Sequence, residues 1–76
     1  MTNTEVVVHI NEDLNKEHRD ILSQKVCKLE GVVSAELPDQ QPHLMIVGYN
    51  PETTKSLQVL DGVKQSGVHA QLVGWL

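Results

Sequence analysis

The run Val6-Val7-Val8-His9-Ile10 constrains this chain more than any other stretch. Four of its five residues are β-branched aliphatics, which favour extended backbone over helix. The polar segment Asn11-Glu12-Asp13 follows at once and cannot continue a buried strand. The run therefore reads as a strand that feeds a loop. A period of two puts Val6, Val8 and Ile10 on one face and Val7 and His9 on the other.

The next stretch has a different period. Leu22, Val26 and Leu29 recur at intervals of four and three, with Ile21 widening the stripe, so a helix is predicted from about Lys16 to Leu29. Asn15 caps its first turn, with Asp13 as the other candidate. Gly31 closes it, because glycine enters the left-handed conformation of a helix end without steric penalty. Val32 to Leu37 is the second strand, with Val33, Ala35 and Leu37 on one side. Pro38 and Pro42 bracket a turn, and His43 to Tyr49 is the third strand. Its apolar residues lie on both faces, as in a central strand. Leu57, Leu60 and Val63, with Val59 beside them, predict a second helix capped by Thr53 or Thr54 and closed at Ser66-Gly67. Val68 to Leu76 is the fourth strand, in which Ala70 and Leu72 alternate with His69, Gln71, Val73 and Trp75.

The order β-α-β-β-α-β specifies an α+β, ferredoxin-like sandwich: a four-stranded antiparallel sheet with two helices on one face. Right-handed crossovers set the strand order as 4-1-3-2. Seventy-six residues make a single domain, 1–76. Phenylalanine is absent and only Tyr49 and Trp75 are aromatic, so Val, Leu and Ile must build the core. Ten acidic residues against six basic ones, with no basic run, argue against a nucleic-acid footprint or an anionic-membrane surface. No cationic segment followed by an apolar one opens the chain, and nowhere do eighteen apolar residues run together. Cys27 stands alone, so no internal disulfide forms. A reducing, cytoplasmic setting is the expectation.

Three features carry the functional reading. The first strand is central and antiparallel to the fourth, so His9 and His69 should meet at one end of the uncovered sheet face, with His18 rising from the same end. Three imidazoles suit a transition metal; the bland alternative is polar surface. His43 is expected at the far end, on the surface. The second feature is the uncovered face, where Val7, Leu44, Ile46, Val73 and Trp75 form an apolar surface suited to a homodimer or a partner protein. The third is Cys27, most simply a small, partly buried filler. No nucleophile motif, phosphate-binding loop or paired carboxylates flanking a cleft occurs, so no enzyme is expected.

The segments Leu29-Glu30-Gly31-Val32-Val33-Ser34-Ala35-Glu36-Leu37, Val47-Gly48-Tyr49-Asn50-Pro51 and Gly67-Val68-His69-Ala70-Gln71-Leu72-Val73, with Leu57, Leu60 and Val63 between the last two, resemble the heavy-metal-associated domain over residues 5 to 73. That family comprises small copper chaperones, mercury-binding proteins and the N-terminal modules of metal-pumping ATPases. Its Met-x-Cys-x-x-Cys loop binds a soft cation through two thiolates. Counting back from Gly31 puts those cysteines at Asn15 and His18, within Asp13-Leu14-Asn15-Lys16-Glu17-His18. The resemblance thus implies a divergent member without the thiolate pair, in which His18, and beside it His9 and His69, would ligate Zn(II), Cu(II) or Ni(II) rather than Cu(I). The alternative it leaves open is a metal-independent interaction or regulatory module that uses the open sheet face.

Overall fold

A computed structural model describes residues 3–75, apart from the side chain of Trp75. The elements are β1 (Thr4–Ile10), α1 (Lys16–Cys27), β2 (Val32–Glu36), β3 (Leu44–Tyr49), α2 (Ser56–Gln65) and β4 (Ala70–Trp75). The strands form one antiparallel sheet ordered β2-β3-β1-β4, the predicted order read from its other edge. Both helices cover the same face.

Alternation in the two central strands builds the core. Val8 lies opposite Met45 and Val6 opposite Val47; these four and Ile10 are fully buried. Leu22 and Val26 of α1 and Val59 and Val63 of α2 close over them. Aliphatic side chains, one methionine and the single ring of Tyr49 make up this core, and Met suits its irregular gaps.

Helix ends are set locally. The Asn15 side-chain oxygen accepts the His18 backbone N–H at 2.8 Å, as expected for a cap. Helix α1 stops two residues short of Leu29, with Lys28 as its last cap and Gly31 at a φ of +85°. Helix α2 is not capped by Thr53 or Thr54. Lys55 occupies the cap position, and the Gln58 side chain reaches back to accept the Lys55 backbone N–H at 3.1 Å and the Thr54 hydroxyl at 3.2 Å.

The predicted helix stripes need correction. Leu57 is 69% exposed: at 100° per residue it sits roughly 160° around the helix from Val59, so the two cannot share a buried face. Ile21 and Cys27 are also exposed, which leaves the narrower Leu22–Val26 stripe of α1. In the sheet, a register shift separates Val32, opposite Tyr49, from Ser34, opposite Gly48. Val32 thereby packs against the core while Val33 is 57% exposed, contrary to the strict alternation expected of β2. A second shift falls in β4, where Leu72 pairs with Val8 but Gly74 with Val7. Val73 is the extra residue of that bulge.

Candidate functional site

Because β3 and β4 both run antiparallel to β1, both begin where β1 ends. Loop 11–15 leaves from the same place. The Ile10 N–H donates to the His43 carbonyl at 2.7 Å, and the Asn11 N–H to the His69 carbonyl at 2.9 Å, which pins the three segments together. His43 therefore belongs to this end of the sheet and not to the far end. That corrects the sequence reading, and antiparallel pairing of β1 with β3 is the reason.

Three imidazoles gather here, each with Nδ1 against an oxygen. His9 Nδ1 lies 3.1 Å from Asn11 Oδ1, His43 Nδ1 2.8 Å from the Ile10 carbonyl, and His69 Nδ1 2.8 Å from Glu12 Oε2. Each of those oxygens accepts and none donates, so Nδ1 carries the proton and the lone pair of a neutral ring resides on Nε2. The His9 and His43 rings stack, 5.9 Å between centroids and 14° from parallel. His43 Nε2 is also 3.0 Å from Asp13 Oδ1.

Glu12 clasps the start of β4. Both of its oxygens accept the His69 backbone N–H, at 2.9 and 3.0 Å. The His69 ring N–H and then that backbone N–H stabilise the charged form, which holds the Glu12 carboxyl below the usual carboxylate range. On the helix side of this end, Arg19 Nη2 lies 3.4 Å from Asp39 Oδ1, while its Nε and Nη1 are buried without a hydrogen-bond partner.

The predicted ligands are not brought into one site. His18 lines a shallow hollow of about 210 Å³ with Leu14, Ile21 and Val68, whereas His9 neighbours His43, and His69 is held by Glu12. Among the described residues, no group of three or more His, Cys, Asp or Glu is placed to hold a metal ion. The two-thiolate site does not fit either. Asn15 spends its side chain on the helix cap, and Cys27 lies at the opposite end of α1, roughly 17 Å along the axis.

The uncovered face carries an aliphatic band. Val7 lies directly opposite Ile46, and His9 opposite Leu44. Val73 is 53% exposed on its bulge. At the other edge Ser34 and Val33 crowd over Gly48, where a β-carbon would meet the Ser34 Oγ at 2.6 Å. The Trp75 backbone pairs with Val6; its side chain, which the sequence reading assigned to this face, is outside the described residues. No helix among the described residues is long and apolar enough to cross a membrane.

No protein-family model and no curated protein matches the chain. Solved structures do. A copper-binding domain from HMA7, a P-type ATPase, superposes with a TM-score of 0.86 at 14% identity, over 95% of this chain and 96% of that one. The N-terminal domain of a potential copper-translocating P-type ATPase from Bacillus subtilis, in its Cu(I)-loaded state, gives 0.84 at 19%, over 99% and 92%. Oxidized MerP from Ralstonia metallidurans CH34 gives 0.81 at 11%, over 93% and 97%. With one cysteine in the whole sequence, this chain has the heavy-metal-associated fold without that family's Cys-x-x-Cys motif.

Proposed function

We propose that this chain is a non-enzymatic domain of the heavy-metal-associated fold that takes up a borderline divalent cation, Zn(II), Cu(II) or Ni(II), through imidazole in place of thiolate. One observation carries the reading. Three histidines at one end of the sheet each have Nδ1 tied to an oxygen, which makes Nε2 the lone-pair nitrogen of a neutral ring; that of His43 also faces the Asp13 carboxylate at 3.0 Å. That is how metal-ligating histidines are held in metalloproteins, by a hydrogen bond from the ring nitrogen that does not bind the metal. Likeness in fold to domains named for copper supports it, and the missing thiolate pair moves the ion from Cu(I) toward borderline cations. Isothermal titration with Zn(II), Cu(II), Ni(II) and reduced copper tests it. Heats for the divalent ions that shrink in histidine variants are expected. Flat traces for all three divalent ions would overturn it.

The aliphatic band on the open face favours a second, metal-independent reading: transient docking of a partner protein with an apolar surface. Four strands of about six residues present roughly 20 by 20 Å, or about 400 Å², half of what a stable interface buries per partner, about 800 Å². The chain alone is then expected to sediment as a monomer. A concentration-dependent dimer abolished by Ile46→Asp would instead give the face to a second copy.

A further inference from the structure

We propose that the outer edge of β4 takes up an extended segment of a partner protein, one that alternates apolar residues and carries a carboxylate toward its C-terminal end. The inference does not depend on metal uptake. It goes beyond docking on the open face, because the partner adds a fifth strand to the sheet.

An antiparallel pair turns the N–H and C=O of successive residues alternately toward and away from the neighbouring strand. The His69 carbonyl accepts the Asn11 N–H at 2.9 Å and so faces β1. Gln71, opposite His9, faces it too. Ala70 and Leu72 therefore turn both backbone groups outward. In keeping with this, the Ile10 N–H lies opposite Ala70 but donates to the His43 carbonyl on its other side. A free edge of this kind is a template for another strand. The opposite edge is guarded: β2 has five residues, a register shift inside it and Glu36 at its end. β4 carries no charge from Ala70 to Trp75, and its bulge at Val73 leaves residues 70–72 as the flat part.

That flat part borders a hollow of about 560 Å³ lined by Lys64, Gly67, Val68, Ala70 and Gln71. Gly67 has nothing within 4 Å of where a β-carbon would stand, so the rim is open. A strand laid along β4 alternates its side chains between this hollow, on the α2 side, and the open face. Lys64 decides the occupant. It brings the hollow an ammonium group that has no ion pair among the described residues. Two copies joined by a twofold axis at Gln71 would bring both ammonium groups to one place, where they repel. A partner's carboxylate is attracted there instead. Every pair in this sheet is antiparallel; in that sense the partner's C-terminal end reaches the start of β4, beside Lys64.

Panning a displayed library of random peptides, about eight residues long as a short strand requires, tests the proposal. Ala70→Pro, Lys64→Glu and Ile46→Asp chains serve as counter-targets, and amide hydrogen exchange reads the edge. Proline at position 70 removes an outward donor and leaves the β1–β4 ladder intact. Enriched peptides should alternate apolar residues, end acidic, and slow exchange of the Ala70 and Leu72 N–H groups about tenfold or more. Their affinity should fall about tenfold on Ala70→Pro and several-fold on Lys64→Glu, and hold on Ile46→Asp. Lys64 is exposed, so Lys64→Glu and the exchange measurement on the parent chain decide the matter even if Ala70→Pro does not fold. No enriched peptide, or peptides that leave the Ala70 and Leu72 amides unchanged, would overturn the proposal. Peptides that need Ile46 instead would also overturn it while leaving docking on the open face standing. Protection of Ala70 and Leu72 that grows with the concentration of the chain alone would give the edge to a second copy and overturn it too.

Discussion

The two faces of the sheet are made by alternate residues of the same strands, yet they differ in kind. Val6, Val8, Ile10, Met45 and Val47 point under the helices and are fully buried. Val7, His9, Leu44 and Ile46 point the other way and stay partly open to solvent. The first face is built mainly of apolar contacts, with Tyr49 among them, so its contribution is to stability. The second mixes aliphatic and imidazole groups and leads to the end where loop 11–15 adds Asn11, Glu12 and Asp13. A single step along a strand thus separates what folds the chain from what it offers to ligands.

Neighbouring substitutions in β3 separate the two faces by the largest margin. Met45→Ala is expected to cost about 2–5 kcal/mol, the range for emptying a buried methionine site. Ile46→Ala, one residue on and only partly buried, is expected to cost about 1 kcal/mol. Urea unfolding of the pair measures the difference, and equal losses would mean that the open face is packed against something in solution.

A smaller effect, at the junction of the two faces, sharpens the role of loop 11–15. Asn15→Ala removes the cap of α1 and is expected to cost about 1 kcal/mol, by the same measurement. Zinc uptake should survive it, because Asn15 is engaged with the His18 backbone and not with a cation.

The smallest effect concerns pH. The Glu12 carboxyl lies below the ordinary carboxylate range because the His69 ring and backbone N–H groups bond its charged form. Its contribution is therefore fully present above the ordinary carboxylate value and fades as pH falls through the depressed one. Carbon-detected NMR titration should show the Glu12 midpoint below the usual carboxylate range. Glu12→Gln should remove that acid-side dependence while leaving neutral-pH stability nearly unchanged, since the pair is solvent-screened.

Much of this was legible in the chain itself. The switch from period two to spacings of three and four, the breaks at Gly31 and Pro38–Pro42, and Asn15 at a helix start are local signals. They specified the element order and, with the handedness of crossovers, the strand order. The absence of a thiolate pair was equally plain. His43 was misplaced for want of one step, that a strand antiparallel to β1 must start where β1 ends; that step was available from the predicted topology.

Which residues alternate, which turn, and which ligand types the chain possesses depend on neighbours along the backbone, and the order of residues is enough to fix them. Which of them meet is set by the packing of strands and loops in three dimensions. The bulges at Val32–Ser34 and Val73 come from fitting one strand to another, and no period along a single strand announces them. The same holds for the oxygens at each histidine Nδ1 and for the carboxylate facing His43: a hydrogen bond between residues 10 and 43, or 12 and 69, exists only once the sheet has closed the distance.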